Sequence, residues 1–159
     1  MFLSLSVKPA FREVLTKPIP KEEKRKVSIE DCKEKKILLV EDNSLNQEIA
    51  ETILKEAGFI VEIADDGNTA VEKMAAAKLG QYDLVLMDIQ MPLMNDYEAT
   101  KRIRAMESPY CKEIPIIAMT ANAFEEDKAL ALQAGMNDYI AKPIQINSML
   151  KIISNVLKE

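Results

Sequence analysis

The chain has 159 residues, of which 48% are hydrophobic and 30% are charged, and its formal net charge is −5. This composition is typical of a globular protein with about one domain. The sequence contains no histidine, which excludes the nucleophile arrangements and zinc sites that depend on an imidazole. Its four glycines form no Gly-rich phosphate-binding loop. Phosphate chemistry in this chain would therefore depend on carboxylates and a metal ion.

Charge divides the chain into two regions. Residues 1–36 contain ten Lys or Arg and six Asp or Glu, so this region is basic. Residues 37–159 contain eleven Lys or Arg and twenty Asp or Glu, so this region is acidic. We predict that residues 1–35 form a basic linker or tail, because three prolines and a mixed run of Lys and Glu lie there. The acidic remainder argues against a nucleic-acid partner. The apolar runs are too short to cross a bilayer and no secretion signal is visible, so we expect no membrane contact and a cytoplasmic location.

From residue 36 onward, short apolar runs alternate with amphipathic stretches, five times in succession. Near-continuous apolarity predicts parallel strands that are buried on both faces. The alternation of strand and helix predicts a three-layer α/β domain. The five predicted strands are residues 37–40, 60–64, 84–87, 114–119 and 139–141.

Capping residues and glycines mark the predicted helices. We predict helix N-caps at Ser44, Asn68 and Asn122, of which the first and last open possible capping boxes. The glycines at positions 58, 80 and 135 mark the predicted ends. The first helix carries an apolar stripe that we expect to lie on one face: Leu45, Ile49, Ile53 and Ala57.

Polar residues follow four of the predicted strands. Glu41 and Asp42 follow the first strand, Asp88 the third, Thr120 the fourth and Lys142 the fifth. Sheets of this class bind ligands at the carboxyl ends of their strands. Carboxylates placed together repel one another unless a positive charge lies among them, and oxygen ligands of this kind suit Mg²⁺.

Four sequence blocks, in this order, resemble the signature of the receiver domain of two-component response regulators. They are Leu-Leu-Val-Glu-Asp-Asn at 38–43, Met-Asp-Ile-Gln-Met-Pro at 87–92, Met-Thr-Ala at 119–121 and Ala-Lys-Pro at 141–143. The similarity is greater to the receivers of hybrid sensor histidine kinases. It implies that residues 36–159 form a receiver domain, with a flavodoxin-like, doubly wound α/β fold. The five-stranded parallel sheet would have the strand order 2-1-3-4-5 and helices on both faces.

The resemblance implies specific roles for the acids. Asp88 would be the phosphoacceptor and would form an aspartyl phosphate. Glu41, Asp42 and Asp88 would hold Mg²⁺ together with the backbone carbonyl of Gln90, and Mn²⁺ would be able to replace Mg²⁺. The cation would neutralise charge on the phosphoryl oxygens.

Three further residues have implied roles near the acceptor. Lys142 would supply a second positive charge against the phosphoryl oxygens. Thr120 would turn its hydroxyl toward the phosphoryl group. Tyr139 would be the switch aromatic, which moves inward as Thr120 moves.

The function that the resemblance implies is phosphoacceptor signalling in a phosphorelay, and not an enzyme activity beyond the domain's own phosphorylation and dephosphorylation. Because the chain has no histidine, the phosphohistidine donor would be a histidine kinase or a histidine phosphotransfer domain. The donor is then another protein or another part of a longer parent chain. The expected output is altered contact with a protein partner. The chain would act in the cytoplasm, alone or as the cytoplasmic part of a larger sensor kinase.

Two alternatives stay open at this point. A degenerate receiver would act only as a protein-binding module, although the acids, Thr120 and Lys142 are all present. A phosphatase of the haloacid dehalogenase type also uses aspartate, lysine and Mg²⁺ on an α/β sheet. In that family the nucleophile follows the first strand in an Asp-x-Asp motif, whereas here Asp88 follows the third strand and position 90 is Gln.

Two further expectations concern the surface and a turn. In receivers the donor approaches along the first helix and the loop after the fifth strand, where we expect Asn46, Gln47, Ala50 and Pro143 to be exposed. Where the family usually has Asp-Gly, this chain has Asn-Asp, so Asp96 stands at the glycine position. We expect a positive φ at Asp96, which costs most residues about 1–2 kcal/mol.

Overall fold

The computed structural model describes residues 33–89, 94–120, 125–142 and 144–158. They lie within Cys32–Glu159, one of two units into which the chain divides, and the predicted boundary between residues 35 and 36 stays a prediction. The strands are β1 (Lys36–Val40), β2 (Ile60–Ala64), β3 (Leu84–Ile89), β4 (Ile116–Thr120) and β5 (Asp138–Ala141). The helices are α1 (Ser44–Glu56), α2 (Gly67–Ala76), α3 (Met94–Ala105), α4 (Pro109–Glu113), α5 (Glu125–Ala134) and α6 (Ile146–Lys158). None of the helices in these ranges has the length and apolarity that crossing a membrane requires.

The strand order across the sheet is β2-β1-β3-β4-β5, and every pairing of these strands is parallel. The order confirms the one expected from the sequence. In register, Val40 lies beside Ala64 and Met87, and Thr120 lies beside Ile89 and Ala141. Because the strands run the same way, the residues that follow them meet at one edge of the sheet, which we call the carboxyl edge.

Alternate residues of β1 pack against opposite helical layers. Ile37 and Leu39 of β1 belong to an apolar cluster with α1 and α6. Leu38 and Val40 belong to a second cluster with α2, α3 and α5. All four side chains are buried, and full burial of a side chain of this size contributes about 1.5–3 kcal/mol. The expectation of helices on both faces is confirmed.

Helix α1 buries a different face from the expected one. Ala50 and Leu54 are buried and Ile53 packs beside them, whereas Leu45 and Ile49 are 63% and 47% exposed. At about 100° per residue, Leu45 lies about 140° and Ile49 about 100° around the helix from Ala50. The residues of the expected stripe therefore lie on two sides of the helix. The expectation that Ala50 is exposed is wrong, because its side chain faces the sheet.

The N-caps of two helices lie one or two residues earlier than the sequence pattern predicted. Asn43, not Ser44, is the N-cap of α1, and its side chain accepts from the backbone N–H three residues later at 3.0 Å. Asp66, not Asn68, caps α2 in the same way at 2.7 Å. Asn, Asp and Ser all satisfy the first N–H groups of a helix, so the pattern alone does not rank adjacent candidates. The third predicted cap, Asn122, lies outside the described residues.

Glycine ends two helices as expected. Gly58 and Gly135 follow α1 and α5 with φ of 103° and 109°, a backbone region that glycine adopts at little cost. Helix α2 instead ends at Ala76, four residues before Gly80. Helix α4 was not predicted, because five residues are too few to show a helical period.

The expected positive φ at Asp96 is wrong. Asp96 lies in the first turn of α3, which begins at Met94. Right-handed helical backbone has φ near about −63°, so no left-handed conformation occurs at this position. The strain inferred from the missing glycine is absent as well.

Candidate functional site

Three carboxylates meet at the carboxyl edge of the sheet. Glu41 directly follows β1, and Asp88 lies one residue beyond Met87, the β3 partner of Val40. Carboxylate oxygens of Glu41, Asp42 and Asp88 lie within 4.8 Å of one another. The first and third are 3% and 4% exposed, whereas Asp42 is exposed to solvent. The structure thus brings the three predicted acids together in a cluster that opens on its Asp42 side.

Lys142 places a positive charge beside this cluster. The residue directly follows β5, and its backbone N–H donates to the carbonyl of Thr120 at 2.8 Å. Its Nζ forms an ion pair with Asp88 Oδ1 and lies 3.9 Å from Glu41 Oε1. Lys142 therefore offsets one of the three negative charges that the acids carry when they are all ionised.

Burial is the main reason that the pKa of Glu41 is raised from 4.5 to about 7. A hydrogen bond with Asp88 and the charge of Asp88 raise the pKa further. The backbone N–H of Asn43, which donates to Glu41 Oε2 at 3.0 Å, and the charge of Lys142 act in the opposite direction. Neighbouring carboxylates in a buried site cannot both ionise without cost, so the site favours an additional positive charge.

Hydrogen bonds order the loop that carries Glu41 and Asp42. The Glu41 N–H donates to the carbonyl of Ala64 at the end of β2, at 3.0 Å. Gln47 Nε2 donates to the Glu41 carbonyl at 2.6 Å. Together with the contact from the Asn43 N–H, these bonds hold both the backbone and the carboxylate of Glu41. The acids are therefore positioned by the protein itself.

Thr120 and Tyr139 lie on neighbouring strands beside the acids. Thr120 ends β4 and is 8% exposed, and Tyr139 is on β5. Both line a cavity of about 10 Å³, together with Tyr97 and Lys128. Lys128 Nζ lies 4.7 Å from the centroid of the Tyr139 ring, within the range of a cation–π interaction. Lys128 could not be predicted from the sequence, because a lysine on a helix gives no sign of an aromatic partner on a strand.

The donor set fits a hard divalent cation. Mg²⁺ binds carboxylate oxygens and keeps part of its water shell. Three carboxylates beside one ammonium group leave two net negative charges when all are ionised, which a divalent cation would balance. The backbone carbonyl of Gln90, the fourth expected ligand, lies outside the described residues.

Exposed apolar side chains flank the carboxyl edge. Two of them, Leu45 and Ile49, lie on α1. The third, Ile146, is 41% exposed and lies at the start of α6. Both helices pack on the same face of the sheet. Of the surface residues expected from the sequence, Asn46 and Gln47 are half-buried, and Pro143 lies outside the described residues. The apolar pattern predicts Leu45 and Ile49 on one helix face and does not reveal that both are exposed.

The described region is similar to a known protein family. The family model of the response regulator receiver domain matches residues 37–154. Over 121 residues the chain is 41% identical to hybrid signal transduction histidine kinase I of Dictyostelium discoideum, a match that covers 75% of this chain and 7% of the kinase. Over 133 residues it is 39% identical to probable histidine kinase 2 of Oryza sativa subsp. indica, a match that covers 77% of this chain and 13% of that kinase. The chain thus spans only a small part of the length of either relative.

Solved structures show the same similarity. The receiver domain of a sensor histidine kinase from Pseudomonas aeruginosa, solved with a magnesium ion in its active-site cleft, has a TM-score of 0.69 and 40% identity. The match covers 79% of this chain and 99% of that domain. A chemotaxis protein of Vibrio cholerae has a TM-score of 0.68 and 28% identity, with 77% and 98% covered.

Proposed function

Given that this chain belongs to the response regulator receiver domain family, we propose that Asp88 accepts a phosphoryl group in a two-component phosphorelay. The observation that carries the proposal is the position of Asp88, which lies within the three-acid cluster and pairs with Lys142. The family match sets aside the phosphatase alternative. The acids and the lysine that phosphorylation requires are present, which favours an active receiver over a degenerate one.

The proposed reaction is a direct transfer between two side chains. A carboxylate oxygen of Asp88 attacks phosphorus, and the bond between phosphorus and the imidazole nitrogen of the donor breaks. That nitrogen keeps the electron pair, and the product is an acyl phosphate on Asp88. Because this chain has no histidine, the donor histidine belongs to a histidine kinase or a histidine phosphotransfer domain.

Glu41, Asp42 and Asp88 would hold Mg²⁺ or, in its place, Mn²⁺, and the backbone carbonyl of Gln90 is the proposed fourth ligand. The bound cation would supply positive charge against the phosphoryl oxygens. Lys142 contributes its ammonium group beside Asp88 and keeps that carboxylate oriented. The support for these roles is the spacing of the acids and the ion pair of Lys142.

Thr120 and Tyr139 are the proposed switch residues. In this proposal Thr120 donates its hydroxyl to a phosphoryl oxygen, and Tyr139 changes position when Thr120 moves. Their shared cavity supports this coupling, because a shift of one side chain changes the space of the other. The surface of α5 and β5 would then change for a protein that receives the signal.

The donor would dock on the apolar residues beside the acceptor, which we call the α1 docking surface: Leu45, Ile49 and Ile146. These side chains are exposed next to the edge at which Asp88 must be reached. Burial of apolar side chains in the centre of an interface is a common source of binding energy. We place this exchange in the cytoplasm, where the buried free thiol of Cys111 would stay reduced.

Intact-mass spectrometry tests the proposal directly. The full chain is incubated with Mg²⁺ and a small phosphodonor, and we expect a single phosphoryl adduct that depends on Mg²⁺. The variant Asp88→Asn should give no adduct, because an amide oxygen is a poor nucleophile. Asp83→Asn, at the residue directly before the same strand, is the matched control and should be labelled like the wild type.

The outcomes separate the alternatives. An adduct that persists in Asp88→Asn would falsify the assignment of the acceptor. Failure of the folded wild-type chain to accept phosphate would favour the degenerate receiver. Continuous turnover of the small donor without any adduct would instead favour a phosphatase.

A further inference from the structure

The amide side chain of Gln47 joins three elements at the carboxyl edge. Gln47 lies near the start of α1 and is half-buried. Its Nε2 donates to the Glu41 carbonyl at 2.6 Å and to Asp65 Oδ1 at 3.0 Å. Glu41 directly follows β1 and Asp65 directly follows β2. One side chain therefore connects the first helix to the ends of two neighbouring strands.

The chemistry of the amide group fixes its orientation. An amide NH₂ group carries two hydrogens, and here they reach two acceptors, the Glu41 carbonyl and the Asp65 carboxylate. The amide oxygen would be repelled by both, so the nitrogen must face them. Gln47 is thus held in one orientation by Asp65 while it holds the Glu41 carbonyl.

That carbonyl belongs to the peptide group between Glu41 and Asp42. Fixing this peptide fixes the directions in which both carboxylates leave the backbone. The Glu41 N–H is already held by the carbonyl of Ala64, so the contact from Gln47 constrains the other side of the residue. Without it, the peptide group after Glu41 would be less constrained, which would let Asp42 move away from Asp88.

We propose that Gln47 is a positioning residue for the metal-binding acids and that Asp65 orients Gln47 for this role. The inference rests on the proposed function, because it requires a cation at the cluster of Glu41, Asp42 and Asp88. Neither Gln47 nor Asp65 would be a ligand, since Gln47 acts through the peptide group and Asp65 acts through Gln47. Residues that orient metal ligands typically account for a 10- to 100-fold difference in metal affinity. Gln47 contacts the backbone of the metal-binding residues and not an atom that would bind the metal. We therefore expect the Kd for Mg²⁺ to change about tenfold, at the lower end of that range.

The test is the affinity of the full chain for Mg²⁺, measured by isothermal titration calorimetry in the absence of any phosphodonor. Gln47→Leu removes both hydrogen bonds and should raise the Kd for Mg²⁺ about tenfold. Gln133→Leu is the matched control, because Gln133 is an exposed glutamine of α5, and its Kd should equal that of the wild type. A merely structural role of Gln47 would lower the unfolding free energy and leave the Kd unchanged.

Gln47→Glu separates positioning from charge and serves if Gln47→Leu does not fold. The glutamate has a similar size but places carboxylate oxygens against the Glu41 carbonyl and the Asp65 carboxylate. If Gln47 acts by position, this variant binds Mg²⁺ more weakly than the wild type. If only the local negative charge matters, the added charge makes Mg²⁺ bind more tightly, and the proposal is overturned.

Asp65→Asn tests the second part of the proposal. The asparagine keeps an acceptor oxygen for Gln47 and loses a negative charge, so a positioning role predicts an almost unchanged Kd. A clearly weaker Kd would show that Asp65 acts through its charge and would overturn its orienting role. A wild-type Kd in Gln47→Leu overturns the role of Gln47 alone. If the wild-type chain itself does not bind Mg²⁺, it is the proposed function that fails.

Discussion

Among the described residues, two of the groups that combine lysine with carboxylate differ in their charge balance. The acid cluster consists of Glu41, Asp42, Asp88 and Lys142. The tyrosine cluster consists of Glu62, Lys73, Tyr82 and Tyr110. The acid cluster brings three carboxylates to the ammonium group of Lys142. In the tyrosine cluster, one carboxylate meets one ammonium group and one phenol hydroxyl.

The two glutamates respond in opposite ways. The pKa of Glu62 is lowered from 4.5, chiefly by its hydrogen bond with Lys73, whose Nζ lies 2.7 Å from Glu62 Oε2. The Tyr82 hydroxyl donates to the same oxygen at 2.8 Å. The pKa of Glu41 is raised to about 7, chiefly by burial. A lysine is present in both places, so the burial of the carboxylate and its neighbouring acids decide the direction.

The contrast shows how the same residue types serve two purposes. In the tyrosine cluster the two tyrosines bond to each other. The Tyr82 N–H donates to the Tyr110 hydroxyl at 2.6 Å, and that hydroxyl donates to the Tyr82 carbonyl at 2.5 Å. These contacts tie α4 to the segment before β3. The acid cluster has an excess of negative charge when its acids are ionised, and we expect this excess to lower stability. We infer that the tyrosine cluster stabilises the fold and that the acid cluster is kept for a ligand.

The largest expected difference between the clusters follows from removing each lysine. Lys142→Met leaves buried carboxylates without their ammonium partner, and we expect the metal-free protein to lose about 3 kcal/mol of unfolding free energy. Lys73→Met removes a partly exposed pair and should cost less than about 1 kcal/mol. Denaturant unfolding in the presence of a chelator measures both. Equal losses would contradict the contrast, and saturating Mg²⁺ should reduce the loss in Lys142→Met alone.

Neutralising each glutamate should change stability in opposite directions. Without metal and at neutral pH, Glu41→Gln relieves repulsion and burial cost, so we expect the unfolding free energy to rise by about 1–2 kcal/mol. Glu62→Gln weakens the contacts with Lys73 and Tyr82, and it should lower the unfolding free energy by about 0.5–1 kcal/mol. The same unfolding measurement applies to both variants. A change of the same sign in the two would show that the clusters do not differ in charge balance.

Two exposed leucines, one near the carboxyl ends of the strands and one near their amino ends, test the α1 docking surface. Leu45→Glu should slow transfer from a protein donor about tenfold, which corresponds to about 1.4 kcal/mol. Labelling by a small phosphodonor should be unaffected, because that donor needs no docking surface. Leu79→Glu changes a leucine that is 86% exposed in the segment before β3 and serves as the control. If both variants slow transfer alike, Leu45 is not part of the docking surface.

The smallest expected effect concerns Tyr82. Burial is the largest cause that raises its pKa from 10.0 to about 12, followed by the hydrogen bond to Glu62. The folded protein therefore holds this proton more tightly than the unfolded chain, and its contribution to stability is lost as pH rises from about 10 to 12. Tyr82→Phe should cost about 1 kcal/mol at neutral pH and weaken this alkaline loss. Phenolate absorbance gives the titration, and a wild-type Tyr82 that ionises near pH 10.0 contradicts the prediction.

The sequence predicted the sheet and the acids for one physical reason. Parallel strands end at one edge, so residues that follow apolar runs are brought together whatever the loops do. Glu41, Asp42 and Asp88 therefore could be grouped before their geometry was known. Lys142 could be added because it follows the last strand.

Helix faces and side-chain contacts were less predictable. Helix α1 carries apolar residues on two sides, and packing against the sheet, which the pattern does not reveal, decides that Ala50 is buried and Leu45 exposed. The contacts of Gln47 with Asp65 and of Lys128 with Tyr139 depend on rotamers and on the approach of separate elements. No periodic signal encodes such contacts.

Borohydride reduction of the phosphorylated chain tests the central claim, that Asp88 accepts the phosphoryl group, most directly. Hydride reduces an acyl phosphate to an alcohol and releases phosphate, which converts the modified aspartate to homoserine. After incubation with Mg²⁺ and a small phosphodonor, peptide mass spectrometry should find homoserine at position 88 and at no other aspartate. A reduced residue at Glu41 or Asp42, or a phosphoryl group that survives reduction on a serine or threonine, would contradict the claim.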